Sequence, residues 1–247
     1  MDRLIYTAMT GAKHILEQQA TTAHNLANAT TTGFKAQIDS FRAVPVKGEG
    51  LPTRAFVVDA TVGTDFKSGS IEQTGRSLDV AVQGEGWIAV IRPDGSEGYT
   101  RNGALSINEN GQLQTASGLN VMGDGGPISI PPNVTVSIAK DGTISTVSTA
   151  VTPEVSTTLG RIKLTNPPAS SLKRGEDGVF VTSNGQPAPQ NENVTVAGGA
   201  LESSNVNVVE TMVNMIALAR QFEMNMKMME NAQNNAAKAD QIFNMNS

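Results

Sequence analysis

The chain has 247 residues, of which 38% are hydrophobic and 4% aromatic, with a net charge of −5 and no cysteine. The hydrophobic share lies below the roughly 45–50% of ordinary globular proteins, so we expect much apolar surface to lie against other chains or in thin β layers. The lack of cysteine excludes disulfides, zinc–thiolate sites and thiol nucleophiles, and the lack of a Lys/Arg block argues against nucleic-acid binding.

The first segment, residues 4–29, is predicted to be a helix. It contains no proline and one glycine, Gly11, and its apolar or small residues recur at steps of three and four. The helix is predicted to end at residues 31–34, where Gly33 suits a left-handed turn. Residues 1–6 lack the apolar run of a secretory signal, and no stretch approaches the ~20 apolar residues of a membrane span.

The middle of the chain, residues 36–200, is predicted to form antiparallel β structure. Short apolar runs at 79–82, 87–91 and 134–138 are separated by Asp-Gly and Asn-Gly dipeptides, which are strong hairpin signals. These dipeptides are Asp94–Gly95, Asn110–Gly111, Asp141–Gly142 and Asn184–Gly185. The pattern is least informative before residue 80, where we expect an extended arm.

The last segment is predicted to be one helix from about residue 207 to 244, with Asn207 as its N-cap and Glu210 as a capping-box acid. Its apolar positions alternate by four and three residues, a heptad pattern that is interrupted at Gln233 and Asp240. A single helix of this length needs a partner to be stable. The predicted seam consists of Val208, Met212, Met215, Ala219, Phe222, Met226, Met229, Gln233, Ala236, Asp240 and Phe243.

These patterns predict an α+β fold in which long N- and C-terminal helices pack as a coiled-coil-like pair, with a central antiparallel β domain. The predicted divisions are an N-terminal assembly helix (1–35), an extended arm or linker (36–80), the central β domain (81–200) and a C-terminal assembly helix (201–247). Because both ends carry incomplete apolar stripes, we expect their remaining surface to pack on neighbouring chains.

The sequence gives little support for a catalytic site or a cofactor site. The two histidines, His14 and His24, lie on different faces of the predicted helix, and neither has an acid four residues further on. The glycine-rich segments 84–86 and 123–126 do not continue as phosphate-binding loops. Residues 170–173 match the SxxK pattern but lack its companion motifs. We therefore expect no catalytic residues, no metal, no cofactor and no enzyme activity.

Three blocks of the sequence resemble the flagellar rod and hook proteins. Because the blocks occur in the right order over nearly the whole chain, the chain is identified as a member of that family. The segments 1–9, 42–46 and 51–54 resemble the proximal rod branch, with the distal rod paralogues as the alternative. The blocks are 23–28 with 32–35 (His24 replaces the first asparagine of the family motif), 82–87 with 99–103 and 126–131, and 199–206 with Met215, Ile216, Arg220, Phe222, Glu223 and Lys227.

The resemblance implies a structural subunit of the proximal rod, self-assembling into the drive shaft that transmits motor torque. It implies copies of itself and other rod proteins as partners, with no nucleic acid and no direct membrane insertion. It also implies export by the flagellar type III apparatus, without a cleaved signal peptide, to the periplasmic part of the basal body. The alternative from another class is a secreted β-rich binding module that uses the loops of residues 84–126.

The residues expected at the assembly interface come from both terminal segments. Seven of the ten methionines fall within 212–245, where flexible side chains suit either non-identical neighbours or the filling of core gaps. Because the first helix buries little area, we expect both ends to be disordered in the free chain and to fold on assembly. The expected interface residues are Asn25, Leu26, Asn28, Gly33, Phe34, Asn205, Val208, Met212, Met215, Arg220, Phe222, Glu223, Met226 and Met229.

Overall fold

The computed structural model describes residues 2–45, 55–148 and 156–244. Residues 46–54, which include part of the proximal-rod resemblance, lie outside this description. The chain divides into two compact units: a helical unit (1–29, 36–65 and 206–247) and a β unit (30–35 and 66–205). The chain therefore passes between the two units four times.

The helical unit consists of two helices and one hairpin. These are α1 (Asp2–Ala27), β1 (Gln37–Pro45), β2 (Ala55–Thr64) and α2 (Val208–Asn244). β1 and β2 pair antiparallel from Gln37 opposite Thr64 to Pro45 opposite Ala55, with one register shift. None of the described helices is long and apolar enough to cross a membrane.

A local signal defines the start of α2, as predicted. The side-chain Oδ1 of Asn207 accepts hydrogen bonds from the backbone N–H groups of Val209 (3.1 Å) and Glu210 (3.2 Å), which caps the start of α2. α1 ends at Ala27, before the predicted turn at 31–34. His14 on α1 has no acid four residues on, but its Nδ1 lies 3.0 Å from a carboxylate oxygen of Glu17, three residues on. The His14 ring also contacts the Phe41 ring of β1 at a centroid distance of 5.6 Å.

The two helices run antiparallel within their unit. Ile5 lines one groove with residues 222–233 of α2, and Gln18 lines another with residues 211–221. Between these points, a Cβ added to Gly11 would lie 3.7 Å from the Asn225 side chain. The Asn225 side chain of α2 therefore packs against the α1 backbone at Gly11.

The predicted coiled-coil-like pair is wrong in its extent and its seam, although the α+β class holds. α1 has 26 residues against 37 in α2, so α1 cannot cover the whole of α2. The seam is shifted by one residue at several positions: Leu218, Asn225 and Ala232 are covered, whereas the predicted Met226 and Gln233 are exposed. The covered positions of α2 are Thr211, Met215, Leu218, Ala219, Phe222, Asn225, Met229, Ala232 and Ala236.

This correction has a physical reason in the composition of both helices. The buried residues of α1 are the small Ala8 and Ala12 with Ile15, so α1 offers a narrow apolar strip rather than a row of large side chains. α2 carries apolar residues on more than one face, so periodicity alone does not fix which face is covered. The side chains of Asp240 and Phe243, at the end of the predicted seam, lie outside the description.

The β unit is built from short strands and one 3₁₀ turn, Ala169–Ser171. The strands are β3 (Ile71–Gln73), β4 (Val80–Gln83), β5 (Trp87–Ile91), β6 (Glu97–Thr100), β7 (Leu105–Ile107), β8 (Leu113–Thr115), β9 (Asn120–Gly123), β10 (Gly126–Pro127), β11 (Val134–Ile138), β12 (Thr143–Ser148), β13 (Ser156–Arg161), β14 (Leu164–Thr165), β15 (Leu172–Arg174), β16 (Phe180–Thr182), β17 (Thr195–Gly198) and β18 (Ala200–Glu202).

The strand pairings in the described residues are antiparallel, as predicted. The main sheet has the order β15-β16-β6-β5-β9-β8-β7, with β14 beside β5 and β10 beside β9. β11, β12 and β13 form a second sheet, and β4 with β17 and β3 with β18 form two-stranded pairs. The predicted turn glycines Gly95, Gly111, Gly142 and Gly185 all have positive φ, which explains the hairpin signals.

Strand β5 lies at the centre of the core, because alternate side chains point to opposite faces of a strand. Ile88 and Val90 join the larger apolar cluster on one face. Trp87 and Ala89 join a second cluster on the other, where the rings of Trp87 and Phe180 lie 4.8 Å apart. The β unit therefore has apolar packing on both faces of its main sheet.

Candidate assembly surface

The outer face of α2 carries an uncovered apolar stripe. Val209, Val213, Ile216 and Met224 are exposed by 72%, 59%, 55% and 59%. At 100° per residue these positions lie on the side of the helix opposite the face that packs on α1. Exposed apolar surface of this kind is typical of protein–protein contact surfaces.

The predicted interface residues of α2 divide between its two faces. Met215, Phe222 and Met229 are partly buried on the side of α1. Arg220 and Glu223 are exposed and form no ion pair in the described part of the chain. The exposed apolar members are Val208 (38%), Met212 (49%) and Met226 (47%).

An open groove of about 820 Å³ lies beside α2 near the start of α1. Its apolar lining is formed by Ile5, Phe222, Met226 and Met229. Tyr6, exposed by 59%, follows Ile5 on α1. A second apolar surface, on the side of α2 that faces α1, therefore extends onto the first turns of α1.

The end of α1 is fixed to the hairpin by Asn25. Its Nδ2 donates to the Gln37 carbonyl and its Oδ1 accepts from the Gln37 backbone N–H, both at 2.8 Å. Leu26 beside it is partly buried, whereas Asn28 donates to the His24 carbonyl at 2.9 Å, within its own helix end. The interactions described for Asn25 and Asn28 therefore lie within the chain.

The predicted residues Gly33, Phe34 and Asn205 lie in the β unit. The Gly33 backbone N–H donates to the Glu202 carbonyl at 2.8 Å, and the Phe34 ring lies 4.7 Å from the Arg174 guanidinium. Asn205 Nδ2 donates to the Lys67 carbonyl at 3.1 Å. These residues therefore hold together the segments by which the chain enters and leaves the β unit.

Glycine is required at position 33. Its φ is +68°, and an added Cβ would lie 2.3 Å from the Arg101 carbonyl carbon. No side chain fits at that distance from backbone. The left-handed turn was predicted from the sequence, but the close approach was not.

A buried charge cluster lies at the same place, and sequence reasoning did not predict it. Glu202 accepts from Lys35 Nζ at 2.7 Å and from Arg101 Nη1 at 2.8 Å, and all three side chains are at most 3% exposed. Each member comes from a different block of the family resemblance. Glu202 follows Ala200 and Leu201 directly, but read alone each of the three charged residues resembles an ordinary surface charge.

The described residues contain no group of three His, Asp or Glu side chains that could hold a metal ion. The helical unit offers a surface suited to packing, the uncovered apolar stripe of α2.

Protein-family profiles match three parts of the chain. Residues 5–35 match "Flagella basal body rod protein", residues 81–146 match "Flagellar hook protein FlgE/F/G D1 domain", and residues 197–242 match "Flagellar basal body rod FlgEFG protein C-terminal". The three matches occur in this order along the chain.

Curated relatives cover nearly the whole chain. Flagellar basal-body rod protein FlgF of Escherichia coli is 46% identical over 99% of this chain and 100% of its own length. FlgF of Salmonella typhimurium is 43% identical over the same shares. Flagellar basal-body rod protein FlgG of Buchnera aphidicola (Schizaphis graminum) is 30% identical over 89% of this chain and 92% of its own length. The chain belongs to the family of flagellar basal-body rod proteins, as a structural subunit of the rod and not an enzyme.

Proposed function

We propose that the chain is a subunit of the proximal rod and that the uncovered face of its helical unit packs against neighbouring rod subunits. The observation that carries this proposal is the exposed stripe Val209, Val213, Ile216 and Met224 on α2. Within one organism, Buchnera aphidicola (Schizaphis graminum), FlgF is 33% identical over 100% of this chain and FlgG 30% identical over 89%, which favours the proximal position over the distal one. In that position the subunit would transmit motor torque along the drive shaft.

The two helices of the helical unit bury few residues. This supports the proposal that contacts with neighbouring subunits complete the packing of these helices. Only Ala8, Ala12, Ile15 and Ala232 are buried on the described helices. Small side chains bury little area, and each buried CH₂ contributes about 0.8 kcal/mol. Contacts with neighbouring subunits would add the burial that offsets the ordering of two long helices.

The proposal includes delivery and location. The flagellar type III export apparatus would carry the chain, without a cleaved signal peptide, to the periplasmic rod. Its partners there would be copies of itself and other rod proteins, with no nucleic acid and no membrane insertion. A loosely packed helical unit is compatible with passage of an unfolded chain.

The test is incorporation into basal bodies of an Escherichia coli strain that lacks its own FlgF. The double variant Val213→Lys/Ile216→Lys should abolish incorporation and motility. Its free energy of unfolding should stay within about 0.5 kcal/mol of wild type, because both positions are exposed. Asn214→Lys, which adds a positive charge at an exposed polar position of α2 about 120° around the helix from the stripe, is the matched control and should assemble normally.

Two results would count against this function. Normal incorporation of the double variant would show that the outer stripe of α2 does not form part of the interface. Absence of the wild-type chain from basal bodies, despite its export, would contradict the rod assignment itself.

A further inference from the structure

The uncovered stripe of α2 is interrupted by one charged residue. Arg220 lies four residues after Ile216 and four residues before Met224, so it falls on the same side of the helix as both. Arg220 is exposed and forms no ion pair in the described part of the chain. A partner that covers the stripe must therefore also meet a cation.

The stripe is poorly suited to packing against the same stripe of a second copy. A cation that is removed from water needs an acidic partner to offset its lost hydration. None of the stripe positions carries an acid, and two stripes placed face to face would bring two Arg220 side chains into one contact. The stripe therefore requires a different surface, one that is apolar and carries a carboxylate.

The groove between α2 and the start of α1 has both properties. Its lining contains two carboxylates and one ammonium, which leaves a net negative charge. Among the described residues, none of these three charged side chains forms an ion pair, and all three are exposed. The apolar lining is formed by Ile5, Phe222, Met226 and Met229, and the remaining lining by Glu223, Lys227, Glu230 and Gln233.

The groove and the stripe also match in length and in texture. The groove follows α2 from residue 222 to 233, and the part of the stripe from Val213 to Met224 covers the same number of residues. At 1.5 Å per residue, each is about 17 Å long. The flexible methionines of the groove can adapt to the branched side chains of Val213 and Ile216.

The two surfaces lie on different sides of α2, so one copy can use both at once. At 100° per residue, Met226 in the groove lies roughly 120° around the helix from the middle of the stripe. We propose that the stripe of one copy packs in the groove of a second copy, where Arg220 pairs with Glu230. This pairing rests on the proposed rod function. Because it joins two different surfaces, it is head-to-tail and can repeat without closing, as a rod requires.

The matching lengths define a register between the two copies. With both α2 helices running in the same direction, Val213 of one copy is level with Phe222 of the other, and Arg220 is level with Met229. Arg220 is then next to Glu230, the residue after Met229. The two helices are displaced by nine residues, or about 14 Å.

The first experiment is cysteine cross-linking, for which the chain is suited because it contains no cysteine. The variant Ile216→Cys/Met226→Cys is expressed in the Escherichia coli strain that lacks its own FlgF, and its basal bodies are oxidised with a copper catalyst. A ladder of disulfide-linked copies is expected. Within one helix the two positions lie about 15 Å apart, which is beyond the reach of a disulfide.

The single variants and a matched control give this experiment its specificity. Ile216→Cys alone and Met226→Cys alone should give no cross-linked dimer. Asn214→Cys/Met226→Cys, which moves the first cysteine about 120° away from the stripe to another exposed position, should give no ladder.

Two results would overturn the pairing and leave the rod function intact. The first is a dimer of Ile216→Cys alone, which would show that the stripe packs on itself. The second is the absence of a ladder in basal bodies that contain the double-cysteine chain, which would exclude a second copy as the partner of the stripe. Absence of the wild-type chain from basal bodies would instead contradict the rod function.

The second experiment tests the ion pair without cysteines. Arg220→Glu should lower incorporation into basal bodies by about tenfold or more, and Arg220→Glu/Glu230→Arg should restore it. Glu230 lies ten residues from Arg220 on the same helix, so the two side chains cannot meet within one copy. Rescue therefore reports on a pair between copies.

The matched control for this rescue is Arg220→Glu/Glu72→Arg, which restores the net charge at an exposed position of β3 and should leave incorporation low. Normal incorporation of Arg220→Glu would overturn the pairing. So would a failure of Glu230→Arg to restore incorporation, or a rescue of equal size by Glu72→Arg.

Discussion

Replacing Glu202 by glutamine should lower the free energy of unfolding of the β unit by about 3–5 kcal/mol, the usual cost of removing one partner of a buried ion pair. The Glu202 carboxylate accepts from Lys35 Nζ (2.7 Å), Arg101 Nη1 (2.8 Å) and the Gly69 backbone N–H (2.9 Å). An amide keeps the shape of the side chain but removes the negative charge that the two cations share.

This prediction is specific because it ranks two substitutions by the free energy of unfolding that each one costs. Lys35→Met should cost less, about 1–3 kcal/mol, because Arg101 and Glu202 remain as a balanced pair and only hydrogen bonds are lost. Glu72→Gln, at an exposed position of β3, is the matched control and should change stability by no more than about 0.5 kcal/mol.

Urea unfolding of the full-length chain, followed by tryptophan fluorescence, measures these differences. Trp87 is the only tryptophan, is 5% exposed, and lies in the β unit with its ring 5.4 Å from the Arg101 guanidinium. The signal therefore reports on the region that the substitutions change. A cost for Lys35→Met equal to that of Glu202→Gln, or a Glu202→Gln chain as stable as the control, would refute the reasoning from shared charge.

Three further predictions follow from single contacts. Gly33→Ala should lower the free energy of unfolding of the β unit by more than ~1–2 kcal/mol, the cost of placing alanine in the left-handed conformation. Gly75 also has positive φ (+73°), but nothing lies within 4 Å of its added Cβ, so Gly75→Ala should show the conformational cost alone in the same urea assay. Asn25→Ala should speed hydrogen exchange at the Gln37 amide, and unchanged exchange would contradict its 2.8 Å bond to Asn25. Burial raises the pKa of Tyr99 from 10.0 to about 12, so the contribution of Tyr99 to the free energy of unfolding should be fully present below pH 10 and be lost as the pH rises towards 12. An ultraviolet titration of Tyr99 in a Tyr6→Phe chain with a midpoint near 10 would contradict this.

Sequence patterns predicted the elements whose signals are local. Gly95 and Gly142 adopt positive φ in their hairpins because the preceding aspartate and the glycine favour the turn whatever the rest of the chain does. Asn207 caps α2 for a similar reason, since its acceptor reaches the next two or three backbone N–H groups. Such features depend on a few neighbouring residues, so they can be read from the chain itself.

The face of α2 that is covered depends on the surface of α1 against which it packs, and the pattern of α2 alone does not describe that surface. Apolar residues at Met224, Met226, Met228 and Met229 give more than one stripe with heptad spacing. The covered face is the one that fits the small residues of α1, such as Ala8. Periodicity identified α2 as a helix that needs partners, but not which of its faces meets α1.

The buried charges were missed because their partners are remote in sequence. Lys35 and Glu202 are 167 positions apart, and each resembles an ordinary surface charge when read alone. Only the fold brings them together with Arg101.

The routing of the chain has a consequence for how this architecture can vary. The segments that enter and leave the β unit meet at one point, where the Asn205 backbone N–H lies 3.4 Å from the Phe34 carbonyl. The other two junctions lie together as well, because the Asp65 backbone N–H donates to the Ala36 carbonyl at 2.8 Å. Where the junctions of a unit are adjacent in pairs, its loops can lengthen or shorten without re-routing of the flanking chain, so we expect β units of different size to be compatible with the same helical segments.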